Sequence, residues 1–327
     1  MTALISATVE RWPVAGAFII SRGAKTQVDV VVCIVGDGVH QGRGEGTAIY
    51  YEGETAEGCA DAIRAYVGPF DREALLIHMP RGAARNALDC ALWDLEAKQA
   101  GVPVWQLAGL DEPVPLATAF TISLGEPEKM EADARAAAAR GFGLLKCKLT
   151  GDGDLARIAA VRAGAPDVRL IVDANESWHD RDVAGEAAAL AALGVEMVEQ
   201  PILHGQEKRL AGVTAPIPFC ADESCHTRAD LDRLGAFDAI NIKLDKAGGL
   251  TEALALAREA RRQGFRVMVG CMLSTSLGIA PAALVAQGAD WVDLDGALLL
   301  AEDRDGALAM RDGMLMPGRL WGGGTVA

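Results

Sequence analysis

Residues 144–154 read LLKCKLTGDGD, a short apolar run interrupted by two lysines at alternate positions and stopped by a glycine-rich turn. In a strand, residues two apart share a face, so Lys146 and Lys148 point one way and Cys147 the other. Two adjacent ammonium groups repel unless something anionic lies between them or one gives up its proton. The run is also one of a series. Strand-like segments recur as LATAFTIS near residue 118, LLKCKL near 146, RLIVDAN near 171, EMVEQP near 198, PFCADES near 221, INIKLDK near 242, RVMVGCM near 269 and WVDLDG near 293, at intervals of about 21 to 28 residues. Such an interval holds a strand, a helix and two loops.

The intervening segments carry helix signals. PEKMEADARAAAARG places Pro127 in a first turn and closes at Gly141, and TEALALAREARRQG runs from a capping Thr251 to Gly264 with arginines in its last turn. Eight strands alternating with helices predict an α/β fold, a modified TIM barrel of (β/α)7β type over residues 113–304. An open doubly wound sheet would need a phosphate-binding glycine fingerprint after its first strand, and none is present. Residues 1–112 follow another rhythm. TQVDVVVCIVGDGVHQGRGEG alternates like an antiparallel hairpin, and RGAARNALDCALWDLEAKQAG reads as a long amphipathic helix ending at Gly101, which together predict an α+β capping domain. The glycine-rich tail, about 305–327, is expected to return and complete that domain.

The chain has 327 residues, half of them hydrophobic, enough for a large domain and a smaller one. A formal net charge of −14 speaks against nucleic acid or an anionic membrane as partner. No apolar run reaches the roughly 20 residues that span a bilayer, and the N-terminus lacks the pattern of a signal peptide, so a cytoplasmic location is expected. The seven cysteines, Cys33, Cys59, Cys90, Cys147, Cys220, Cys225 and Cys271, are scattered without a CxxC pair and read as buried thiols. The five histidines show no metal-ligand spacing. Self-association is left open.

Buried parallel strands should be apolar almost throughout, yet these end on polar residues: Lys146 and Lys148, Asp173 and Asn175, Glu199, Asp222 and Glu223, Lys243 to Lys246, and Asp293 with Asp295. In a barrel of this type the carboxyl ends of the strands form one mouth, where all of these groups meet. Asp173, Glu199 and Asp222 stand on three adjacent strands. Three converging carboxylates repel unless a cation neutralises them, and an all-oxygen set suits Mg²⁺. Strands two and six lie opposite each other across the ring, so lysines from each can flank a carbon acid whose carboxylate is held on the metal. That arrangement suits removal of an α-proton on one face and its return on the other, through an enediolate stabilised by metal and by nearby cations such as Lys146.

KCK, IVDAN, VEQP, CADES and KLDKAGG, in that order over residues 144–249, resemble the enolase superfamily in its muconate-lactonizing subgroup, and RNALDCALWDL resembles the family's capping-domain helix. The superfamily is known for a Lys or His base working with Mg²⁺. The resemblance implies Mg²⁺ on Asp173, Glu199 and Asp222 and Lys148 with Lys246 as the acid/base pair; strand parity with Asn241 would favour Lys243 instead, unless the strand ends first. Cycloisomerases, o-succinylbenzoate synthases and N-succinylamino acid racemases share this machinery. Asp293 and Asp295, across the mouth from the metal, resemble the paired aspartates with which dipeptide epimerases hold a substrate ammonium group. The segments IISRGAKTQ and IYYEGETAEG resemble the loops that close over substrate, with Arg22 where L-Ala-D/L-Glu epimerases carry an arginine for the side-chain carboxylate. Lys25 is the second candidate, Ser274 and Ser276 are expected to line the same pocket, and Asn175 and Glu223 to support the metal and the lysines. The expected activity is Mg²⁺-dependent dipeptide epimerisation in the recycling of cell-wall peptides. The rivals are another reaction of the subgroup and a catalytically silent metal-binding scaffold.

Overall fold

The computed structural model describes residues 2–20 and 23–323. The N-terminal unit is an antiparallel sheet of β1 (Ala3–Ile20), β2 (Gly23–Gly36) and β3 (Gln41–Thr47), ordered β1-β2-β3, with helices α1 (Ala56–Arg64), α2 (Arg72–His78) and α3 (Ala83–Ala100). Alternation in β3 has a clear physical purpose. Gly42, Gly44 and Gly46 share a face, and a Cβ on them would come within 2.1, 2.2 and 2.3 Å of the carbonyl oxygens of Ala91, Ala87 and Ala83. Only glycine lets α3 lie this close on the strand. The helix is buried on nearly every side, because its other faces meet the barrel.

Strand β4 (Leu116–Ala117) leads into eight parallel strands in sequence order: β5 (Phe120–Ile122), β6 (Leu144–Lys148), β7 (Arg169–Asp173), β8 (Val195–Glu199), β9 (Phe219–Ala221), β10 (Ala239–Ile242), β11 (Arg266–Gly270) and β12 (Trp291–Asp293). A hydrogen bond of 2.8 Å from the Ala119 amide to the Val292 carbonyl joins the first strand to the last and closes the ring. All eight segments expected from the sequence are strands. The connections after β8 and β9 hold only short 3-10 turns, Glu207–Leu210 and Arg228–Arg233, where full helices were expected. Thr251 also differs from expectation. It lies inside the helix Leu250–Arg262, and its amide and hydroxyl both donate to Asp89 of α3.

The tail forms β13 (Met310–Arg311) and β14 (Met314–Leu315), and β14 pairs with β4 beneath the barrel. Beyond it, Trp321 Nε1 donates to the Cys90 carbonyl and the Gly322 amide to Asp94 Oδ1, which seats residues 321–322 on α3. Among the described residues no helix is long and apolar enough to cross a membrane.

Three polar residues of α3 fix the loop after β10. Arg85 donates to the carbonyls of Ala247 and Gly248, Asn86 Nδ2 to Asp245 Oδ1 at 2.8 Å, and Asp89 accepts from Thr251. The Thr47 amide donates to the same Asp245 oxygen at 2.9 Å. Burial pushes the Asp245 carboxyl up to about 7 and that of Asp89 up to about 6.

Candidate active site

Strand parity builds the site. The barrel floor is a plug of Ala119, Leu144, Ile171, Met197, Cys220, Ala239, Met268 and Trp291, one residue from each position around the ring. Two residues further along each chain, on the same inward face, stand Thr121, Lys146, Asp173, Glu199, Asp222, Asn241, Gly270 and Asp293. The floor is dry and the layer above it is ionic. A third layer, with Lys148, Asn175, Lys243 and Asp295, opens to a cleft that Lys25, Tyr50, Tyr51, Met272, Leu273 and Leu299 also line.

Asp173, Glu199 and Asp222 are buried, and one oxygen from each lies within 4.8 Å of the others. Among the described residues this is the one cluster of acidic, histidine or cysteine side chains able to hold a metal ion. The buried Glu199 Oε2 accepts no hydrogen bond and meets only the Lys146 ammonium, 2.5 Å away. An orphaned carboxylate oxygen in an all-oxygen cluster fits a hard divalent cation. Burial and repulsion from Asp173 push Glu199 up to about 8. Burial works the other way on Asp173 from its neighbours Lys148 and Lys146, whose charge prevails and holds it down to about 2. Asp222 is held well below the usual range, burial being outweighed by Lys243, Lys246 and Lys146.

Four lysines surround the acids. Lys148 lies 2.7 Å from Asp173 Oδ2, and Lys243 lies 2.6 Å from Asp222 Oδ2. Their strands, β6 and β10, are four apart in a ring of eight, so the two amines stand on opposite walls. Lys146 touches Glu199 and also Asp293 Oδ2, at 2.8 Å. Burial opposes its charge, but Asp293, Glu199 and Asp173 raise its pKa well above the ordinary lysine value; Asp222 and Glu199 do the same for Lys243.

Lys246 is where the structure departs from expectation. Strand β10 stops at Ile242, Lys243 keeps the inward parity of Asn241, and a single helical turn, Leu244–Ala247, then carries Lys246 into the wall. Its fully buried ammonium donates to the carbonyls of Asp222, Cys225 and Asn241 and ion-pairs with Asp222 Oδ1 at 2.6 Å. An amine whose three protons are spent on carbonyls does not face the mouth, so Lys243 takes the position expected for Lys246.

Asp293 at the end of β12 and Asp295 just beyond it reach the cleft, though not as bare carboxylates. Asp293 pairs with Lys146, and Asp295 accepts the Thr121 amide at 2.6 Å. Burial and repulsion from Asp293 push Asp295 up to about 7. Lys25 lines the cleft with its ammonium 4.2 Å from the centre of the Tyr50 ring, and burial lowers its pKa. Asn175 folds back to donate its amide to Asp173 Oδ1 at 2.8 Å, and its side chain lies 3.4 Å from Glu223 Oε1. Ser274 and Ser276 are corrections. Ser274 Oγ donates to the Met272 carbonyl, and Ser276 begins a helix with its hydroxyl on Asp303, so neither lines the cleft. Arg22 lies outside the described residues.

Two residues the sequence reading passed over are central. Asn241 Nδ2 donates to Glu199 Oε1 at 2.7 Å, and Gly270 makes room for it. A Cβ on Gly270 would fall 2.8 and 2.9 Å from the Asn241 amide atoms and 3.2 Å from Lys243 Cε. Inward parity was the signal for both.

A capped, closed barrel with three acids at its mouth and amines on opposing walls defines a class of metal-assisted carbon-acid enzymes. The comparisons with known proteins agree with that class. The chain belongs to the mandelate racemase / muconate lactonizing enzyme family of the enolase superfamily: the model of that family's N-terminal domain matches residues 3–109, and the enolase C-terminal domain-like model matches residues 129–325. An L-Ala-D/L-Glu epimerase of Escherichia coli is 43% identical over 311 residues, covering 94% of this chain and 97% of that one. An N-acetyl-D-glutamate racemase of a Pseudoalteromonas species is 44% identical over 263 residues, covering 80% and 82%. The crystal structure of an Agrobacterium tumefaciens enolase family member with homology to dipeptide epimerases, holding sodium and L-Ala-L-Glu, superposes with a TM-score of 0.93 at 49% identity, covering 98% of this chain and all of that one.

Proposed function

We propose that this protein is a dipeptide epimerase that inverts the α-carbon of the C-terminal residue, with Lys148 and Lys243 as the two acid/base groups. The observation that carries this reading is their placement on opposite walls of the cleft, each beside a different acid of the triad. Asp173, Glu199 and Asp222 would hold Mg²⁺, which supplies charge to offset the negative charge that develops on a substrate carboxylate when its α-proton leaves. Lys148 and Lys243 then take and return the proton on opposite faces. Lys146, a fixed cation touching Glu199, adds to the positive field around the enediolate oxygens.

The pair Asp293 and Asp295 favours a substrate with a free ammonium terminus, as in L-Ala-L-Glu. Arg22 or, as the second candidate, Lys25, which lines the cleft, would bind an acidic second side chain. These assignments, a domain boundary near residue 112, a cytoplasmic setting and a place in cell-wall peptide recycling complete the reading. A second reading is favoured by the similarity to an N-acetyl-D-glutamate racemase: an N-acyl acidic amino acid would use the same lysines and lack the ammonium group. The test is incubation in D₂O with Mg²⁺ and a panel of dipeptides and N-acylated amino acids, read by mass spectrometry. Deuterium should enter the C-terminal α-carbon of L-Ala-L-Glu, with formation of L-Ala-D-Glu. Exchange confined to N-acyl amino acids would replace the dipeptide reading with the second.

A further inference from the structure

Asp173 and Glu199 each have one oxygen hydrogen-bonded by the protein framework and the other turned toward a lysine. Asp173 Oδ1 accepts the Asn175 amide at 2.8 Å, while Oδ2 faces Lys148. Glu199 Oε1 accepts Asn241 Nδ2 at 2.7 Å, while Oε2 faces Lys146. Asp222 Oδ1 is ion-paired with the buried Lys246, without a hydrogen bond, while Oδ2 faces Lys243. The framework groups are rigidly placed. Asn175 sits at a φ of 41°, which turns its amide back on Asp173; Asn241 is wholly buried in β10; Lys246 is anchored by three carbonyls. None of the three can leave without stranding a buried polar group.

We propose that Asn241 is a selectivity-determining residue that, with the Asn175 amide, confines Glu199 and Asp173 to single-oxygen ligation and so makes the site discriminate Mg²⁺ from Ca²⁺. The chemistry follows from the ions. Mg²⁺ demands six oxygens in near-ideal octahedral geometry at short distance, whereas Ca²⁺ takes six to eight at longer distance and is served well by carboxylates that bind through both oxygens. An acid whose second oxygen is already occupied cannot chelate, which removes the option that favours the larger ion.

The inference rests on the metal reading above, and metal titration without substrate separates the two. Calorimetric titration of the metal-free protein with MgCl₂ and with CaCl₂ is compared for wild type, Asn241→Ala and Asn241→Ser, with thermal denaturation of each metal-free variant as the folding control. Should Asn241→Ala fail to fold, Asn241→Ser carries the comparison. Freeing Glu199 Oε1 should weaken Mg²⁺ by about 10-fold or more while leaving Ca²⁺ unchanged or tighter, so that the ratio of the two affinities shifts by about 10-fold. Equal weakening of both ions, or no change, overturns the inference and leaves the metal site standing. A wild type that binds no Mg²⁺ overturns both.

Discussion

The Lys243 ammonium lies 2.6 Å from Asp222 Oδ2 on the wall of the cleft opposite Lys148. If these two amines each serve one face of the α-carbon, removing either should leave half of the chemistry intact. Lys148→Ala and Lys243→Ala should each lower epimerisation by about 10²–10⁴-fold, the range of a single acid/base group. Each should still exchange the α-proton of one diastereomer of Ala-Glu for deuterium, the two variants retaining opposite diastereomers. NMR of L-Ala-L-Glu and L-Ala-D-Glu in D₂O reads this directly, and the same surviving diastereomer in both variants would refute the two-wall arrangement.

Asp295 offers a cleaner probe of the ammonium site than Asp293, which also holds Lys146. Asp295→Asn should raise KM for L-Ala-L-Glu by about 10-fold or more, as expected for a charge-assisted hydrogen bond of about 1.5–3 kcal/mol. Turnover at saturation should change little. N-acetyl-glutamate, with no ammonium group, should show no loss in the variant, and an equal loss for both ligands would place Asp295 in general architecture.

The same residue sets a pH dependence. Asp295 is pushed up to about 7 by burial and by Asp293, and an ammonium ligand prefers its ionised form. Dipeptide affinity should therefore rise with pH up to about 7 and level off above it. It should fall again near 8, where a free α-amino group loses its proton. Calorimetric binding to Lys148→Ala from pH 5.5 to 8.5 shows this profile, and Asp295→Asn in that background should lose the acidic arm. An unaltered acidic arm would assign the titration elsewhere.

Much of this site is legible in the sequence because barrel strands obey a period of two. Lys146, Asp173, Glu199, Asp222 and Asp293 each follow an apolar plug residue by two positions, so their common direction needs only the alternation. The rule fails where the strand does. Between Ile242 and Lys246 the period changes from the pleat to a helical turn, and the fourth lysine leaves the mouth for the wall. Ser276 escapes the cleft for the same reason, as the first residue of a helix. Asn241 and Gly270 had the right parity but bear no charge, so nothing in composition marked them. The direction of Lys25 depends on the pairing of β1 with β2, a long-range contact that local pattern does not encode.

The contact between the capping domain and the β10 loop should be sensitive to pH through Asp245 and Asp89. Burial raises both from an ordinary value of 3.8, to about 7 and about 6, so between pH 4 and 7 the folded protein keeps protons that the unfolded chain has released. Their contribution to stability is therefore fully present below about pH 4 and is lost as pH rises through 6 and 7. Asp245→Asn retains an acceptor for Asn86 and the Thr47 amide without the charge. Its melting temperature relative to wild type should increase from pH 5 to pH 8; a difference that stays constant would show that Asp245 is ionised throughout.

Gly270 is the last position where a small change should reach the metal. A methyl group there would sit 2.8 Å from Asn241 Oδ1 and 2.9 Å from Nδ2, and neither atom belongs to a flexible chain end, since Asn241 is fixed in β10 and bonded to Glu199. Gly270→Ala must therefore displace the amide, the neighbouring Lys243, or the strand itself. Overpacking of this kind costs about 1–3 kcal/mol of stability, and the lost hydrogen bond would release Glu199 Oε1. The variant should melt lower than wild type and bind Mg²⁺ more weakly. Combined with Asn241→Ala, which removes the clash, it should regain most of the lost stability while keeping the weakened Mg²⁺ binding. Additive losses of stability in the double variant would show that the glycine serves the backbone and not Asn241.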